Sequence, residues 1–110
     1  MKVTLKIDTT DTKNVKVELV ADKNLISTLV ETQKVGSQVL LPMIDKILKK
    51  NKLEITDIKS IDVNPGPGSF TGTRVGVTVA NALCFALNIP VNGKKGKIVL
   101  PVYDKSKFDY

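Results

Sequence analysis

There is no histidine in the 110 residues of this sequence, and only one cysteine, Cys84. These absences exclude Ser–His–Asp triads, Cys–His nucleophilic pairs and the common zinc sites, all of which need imidazole or several thiolates. A lone cysteine has no internal disulfide partner, which points to a reducing compartment such as the cytoplasm. Aromatic residues make up 5% of the chain and arginine occurs once, a poor supply for RNA recognition by base stacking. No apolar run reaches the ~20 residues of a membrane span. The opening MKVTLKIDTTD alternates apolar residues with Lys and Thr, so it has no continuous block of the signal-peptide kind. Chemistry is left to Asp, Glu, Lys, Ser, Thr and backbone amides.

What is present is ordinary for a folded domain: 42% hydrophobic and 25% charged residues in a chain of single-domain length. Seventeen basic residues against eleven acidic ones leave a net charge of +6. Part of the excess sits at Lys46, Lys49, Lys50 and Lys52, and part at Lys94, Lys95, Lys97, Lys105 and Lys107. Such lysines either draw RNA or an acidic partner, or keep a small domain soluble.

Val3, Leu5 and Ile7 alternate with Lys2, Thr4 and Lys6, the period of a strand with one polar face. Val15, Val17 and Leu19 repeat the pattern, and residues 25–32 supply a third strand. Short links between the three predict an antiparallel meander. From Ser37, an N-cap candidate, the period becomes helical through Leu40, Ile44, Ile47 and Leu48, with Pro42 kinking the helix or marking a later start. A fourth strand through Ile58, Ile61 and Val63 runs into Pro65-Gly66-Pro67-Gly68. A long helix then spans about 71–88, and residues 97–102 are expected to form a last strand. The order β-β-β-α-β-α-β predicts a mixed five-stranded sheet with both helices packed on it and the fourth strand parallel to the first.

The segment from Asn64 to Gly76 is a strand end, a rigid turn and a helix start. Its prolines fix φ, its glycines permit φ > 0, and Ser69 or Thr71 can cap the helix. A helix N-terminus behind a Gly-rich loop also suits a phosphate, but the Lys-[Ser/Thr] pair of a P-loop and the GxGxxG spacing are both missing. Within the helix, Gly72, Gly76, Ala80 and Cys84 recur every four residues as a small-residue stripe, and Val75, Val79, Ala82, Leu83, Ala86 and Leu87 make most of the rest apolar. A helix apolar nearly all round is buried on more than one side. Either a protein partner or the chain's own tail must supply the second side. Arg74, in the first turn, opposes the helix dipole and calls for an anionic or carbonyl partner unless it is a plain surface residue.

The run Gly66-Pro67-Gly68-Ser69-Phe70-Thr71-Gly72 followed by Arg74 and Gly76 resembles the signature of the TsaB (YeaZ) family. Ile7-Asp8-Thr9-Thr10, Ser37 with Leu40-Leu41-Pro42-Met43-Ile44-Asp45, Ile61-Asp62-Val63, and Leu83 through Ala86-Leu87-Asn88-Ile89-Pro90-Val91 are similar to further family segments in the same order. The resemblance covers about residues 1–93 and implies an actin-like, ribonuclease-H-like lobe. Residues 94–110 read as a divergent tail, and the expectation is a minimal or truncated form without the family's second lobe.

The implied function is that of a non-catalytic scaffold for the TsaD threonylcarbamoyltransferase in tRNA threonylcarbamoyladenosine modification. A TsaE-like ATPase is the expected third component, with tRNA engaged indirectly and no cofactor, metal or membrane. The expected docking face joins Val39 and Met43 of the first helix to Gly72, Arg74, Gly76 and Ala80 of the second, and a homodimer through the two helices is its expected use when TsaD is absent. The competing reading is a phosphate- or nucleotide-binding enzyme or switch, with Asp8, Thr9, Thr10, Gly66, Gly68 and Ser69 around the phosphate. Against it, Asp8 also reads as a turn-capping residue, since one carboxylate without an acidic neighbour is a poor metal site. A peptidase role finds neither metal motif nor nucleophile–base pair.

Overall fold

The alternation at the start of the chain becomes a three-stranded antiparallel meander in the computed structural model, which describes residues 2–32 and 37–103 apart from the side chains of Ser37 and Gln38. The strands β1 (Val3–Asp8), β2 (Asn14–Ala21) and β3 (Asn24–Thr32) pair in sequence, with Leu5 opposite Leu19 and Val17 opposite Leu29. Asp22 and Lys23, both at positive φ (49° and 73°), make the two-residue turn whose twist suits a hairpin. β4 (Ile58–Val63) lies parallel to β1, Leu5 opposite Ile61, and the sheet order is β3-β2-β1-β4.

Both helices cover one face of this sheet. α1 (Ser37–Lys50) lies over β2 and β3, and α2 (Phe70–Leu87) lies over β4 and β1. Between them, Val3, Leu5, Ile7, Val17, Leu19, Ile58 and Ile61 meet Leu40, Met43, Ile44, Ile47, Val77 and Ala80 in one buried core. Each large aliphatic withdrawn from water contributes roughly 1.5–3 kcal/mol. The opposite face of the sheet carries Thr4, Lys6, Lys16, Glu18 and Asp62, and no described helix lies on it, so the described residues form two layers.

α1 runs unbroken from Ser37 through Pro42. Pro42 sits on its exposed side, where the loss of one backbone donor is best tolerated. The cap expected of Ser37 and the lysines at 105 and 107 lie outside the described residues. Each helix closes on a non-glycine residue in the left-handed region: Lys52 after α1 (φ 57°) and Asn88 after α2 (φ 56°). The amides of Leu53 and Ile89 then reach back to the carbonyls of Leu48 (2.9 Å) and Cys84 (3.0 Å).

The expected fifth strand at 97–102 does not form, and among the described residues the sheet has four strands. Val91 begins one: it bridges Ile61 in parallel, Ile61 N–H donates to Pro90 O (3.1 Å) and Asn92 N–H to Ile61 O (2.9 Å). Asn92 and Gly93 then take φ of 49° and 80° and reverse the chain, so that Val91 also bridges Lys94. The Asn92 side chain continues the pairing, accepting from Val63 N–H (2.7 Å) and donating to Val63 O (3.0 Å). Residues 97–103 turn instead to α2. Asn81 donates to Val99 O and accepts from Val99 N–H, each at 2.9 Å, and Val102 N–H donates to Pro65 O (2.6 Å).

Candidate functional site

β1 ends at Asp8, and the following loop meets the turn after β4. Ser69 N–H donates to Thr10 O (2.7 Å), and a side chain at Gly68 would start 2.6 Å from Thr10 Cβ. Whereas Gly66 faces Val102 and Thr73, the structure thus brings Gly68 and Ser69 against Thr10, beside Asp8 and Thr9. Their polar groups are engaged with one another. Asp8 accepts from the Thr10 amide (3.0 Å), the Thr10 hydroxyl (2.7 Å) and Asn64 Nδ2 (3.2 Å). Thr9 is fully buried and donates to the Gly72 carbonyl, while the Ser69 hydroxyl caps α2 by accepting from Gly72 N–H (3.2 Å). Burial pushes the Asp8 carboxyl up, but the hydrogen bonds from Thr10 and Asn64 and the charge of Lys16 outweigh it and hold the group below its ordinary value. The arrangement is a clasp between two loops, held by hydrogen bonds among its own groups.

The small-residue stripe faces inward. Gly72, Gly76, Ala80 and Cys84 are all buried, and so is Met43 of α1. A Cβ at Gly76 would fall 2.2 Å from Thr9 Oγ1, so the glycine lets α2 settle on the end of β1. The docking face expected at Met43, Gly72, Gly76 and Ala80 is therefore corrected: these residues serve close packing within the chain. Of that set, Val39 is half-buried and Arg74 is exposed. α2 is long and apolar enough to cross a bilayer, and in this structure it lies on the sheet with six of its residues buried.

What α2 presents outward is a different arc. Thr71, Arg74, Val75, Thr78 and Val79 line a groove of about 310 Å³. Further along, Ala82, Phe85 and Ala86 are exposed, Phe85 at 91%. Arg74 lies over the Phe70 ring, 5.4 Å from its centroid, and Phe70 stacks on Tyr103 of the tail at 4.6 Å. The sequence marks Phe70 only as part of the signature run and gives no role to Phe85 or Tyr103. The signal available was that α2 is apolar on every side, but which arc the sheet takes depends on where Thr9 lies.

Cys84 is sealed in the core, its thiol donating to Pro90 O (3.4 Å), and burial pushes its pKa up to about 11. At neutral pH it is a protonated, inert core residue. Among the described residues no group of three or more Cys, Asp or Glu is arranged to hold a metal ion.

A meander, a helix, a parallel strand and a second helix on the same face of the sheet make a mixed α/β fold of the actin-like, ribonuclease-H-like class. The profile of the family described as "TsaD: tRNA N6-adenosine threonylcarbamoyltransferase" matches residues 30–93. Two curated proteins named "tRNA threonylcarbamoyladenosine biosynthesis protein TsaB" are similar to the chain. That of Buchnera aphidicola subsp. Baizongia pistaciae is 47% identical over 51 residues, 46% of this chain and 23% of the relative. That of Haemophilus influenzae is 41% identical over 59 residues, 54% of this chain and 25% of the relative. The solved structure of "YeaZ from Pseudomonas aeruginosa" superposes with a TM-score of 0.75 at 29% identity, covering 94% of this chain and 45% of that one. The chain belongs to this family, on its TsaB (YeaZ) branch. It spans about half the length of the YeaZ structure, and the matched stretches are about a quarter of the curated relatives.

Proposed function

We propose that this chain serves tRNA threonylcarbamoyladenosine biosynthesis in the cytoplasm as a non-catalytic partner of a TsaD-like transferase, which it docks through α1 and the outward arc of α2. The observation that carries the reading is that arc: a core helix in a member of this family keeps a fully accessible phenylalanine, Phe85, and a valine-walled groove in water. Exposed apolar surface of this kind marks contact with another protein. The side chains fit a scaffold better than a catalyst, because the polar groups at the loop clasp are bonded to each other and the thiol is inert. A TsaE-like ATPase completes the assembly, tRNA is met through the transferase, and a homodimer uses the same arc when the transferase is absent.

Co-expression with the TsaD-like subunit of the same organism, followed by size exclusion and an assay of tRNA modification, tests this. The expected result is co-elution and modification that depends on both chains. Separate elution, or modification unaffected by omitting this chain, sinks the reading.

A further inference from the structure

Arg74 is the only charged residue of α2. It stands near the helix N-terminus, where the macrodipole disfavours a cation and attracts an anion. Among the described residues no carboxylate pairs with it. Its neighbours nonetheless fix its place. The guanidinium ends a stack in which Phe70 lies beneath it and Tyr103 beneath Phe70, with the two rings inclined by 29°. Val102, next to Tyr103, is bonded to Pro65, so the tail anchors the stack at its base. The same guanidinium sits on the groove walled by Thr71, Val75, Thr78 and Val79.

We propose that Arg74 is the specificity determinant of the docking face, pairing with an Asp or Glu carboxylate on a partner helix that lies in this groove. The proposal rests on the reading of α2 as that face and names its chemistry. A carboxylate placed there gains twice, from the planar fork of the guanidinium and from the positive end of α2. The walls are valine and threonine and α2 offers no second cation, which suits a protein helix with one acid. A nucleic-acid backbone, by contrast, needs several cations in a row. A single charged pair amid apolar contacts fixes the register and orientation of the partner.

The test is calorimetric titration of the TsaD-like subunit with the full chain and with Arg74→Gln, Arg74→Lys, Arg74→Glu and Phe70→Leu, at low and high salt. Circular dichroism confirms that each variant is folded. Arg74→Gln should lose about tenfold or more in affinity and most of the salt dependence. Lys, which keeps the charge but not the fork, should fall between Gln and wild type. Phe70→Leu should show a smaller loss. Arg74→Glu should bind least, and exchanging the facing acid of the transferase for Arg should restore it. If wild type binds and Arg74→Gln binds equally well, the pairing is wrong while the docking reading stands; if wild type does not bind, both fail. Parallel titration with tRNA separates the remaining source: loss of tRNA binding in Arg74→Gln with unchanged binding to the subunit overturns the carboxylate assignment in favour of phosphate.

Discussion

Between Thr9 and Gly76 there is room for one side chain, and Thr9 has it. Gly76→Ala must push the helix off the end of β1 or force the Thr9 hydroxyl from the Gly72 carbonyl. The expected cost is about 1–3 kcal/mol, as for other overpacked cores, read as a lowered denaturant midpoint; Gly76→Leu should not fold at all. An unchanged midpoint for Gly76→Ala would show that α2 does not rest on Thr9. The glycine stripe was visible in the sequence, but its direction was not. Close approach to a partner and close approach to one's own sheet ask for the same small residues, and the residue that decides lies far away at Thr9. Asp8 makes the neighbouring clasp dependent on pH. Its carboxyl titrates lower in the folded chain than in the unfolded one, so its stabilising effect is complete above about pH 4 and disappears as pH falls through the folded value. Acid titrations of stability should therefore diverge: wild type declines below about pH 4 more steeply than Asp8→Asn, and parallel curves would contradict the clasp.

The tail shows how an element legible by its period fails for want of an edge. Ile98, Leu100 and Val102 alternate as a strand should, yet all three are exposed, at 70%, 69% and 49%. The free edge of β4 was beyond their reach once Asn92-Gly93 had turned the chain, and an Asn-Gly pair is itself a strong hairpin signal in the sequence. The main elements were readable because each is set by local pattern: three alternations for the meander, a helical period from residue 37, and Asn88, with Ser69 or Thr71, as the ends of α2, of which Ser69 is the cap. The attachment of residues 97–103 to α2 could not be read, since at Val99 it depends on one distant amide, Asn81, bonded to both backbone groups of that residue. Asn81→Ala removes both bonds, a loss of about 1–3 kcal/mol felt only by the tail. Hydrogen exchange at Val99 should then quicken by about tenfold or more, with β1 to β4 unchanged. Equal protection at Val99 in the two proteins would mean that other contacts hold the strap.

At the scale of the molecule, the described residues present unlike surfaces: a sheet face of mixed charge, a tail laid along α2, and the apolar outward arc of α2. With a net charge of +6, long-range repulsion keeps copies apart at low salt, so self-association has to come from the arc and should strengthen as salt screens the charge. Phe85 is the probe of this. At 91% exposure its ring contributes almost nothing to folding, and with Ile98 it borders a hollow that stays open in the single chain. Phe85→Gln keeps a good helix former at the position, so folding stability should stay within about 0.5 kcal/mol of wild type. Sedimentation equilibrium should find wild type associating more strongly as salt and concentration rise, with Phe85→Gln remaining a monomer under the same conditions. The variant should also bind the TsaD-like subunit more weakly, because the same ring would be covered in either assembly. A wild-type chain that stays monomeric at high salt removes the self-pairing role of the arc. A Phe85→Gln variant that is destabilised, or that associates as wild type does, places Phe85 outside the docking face altogether.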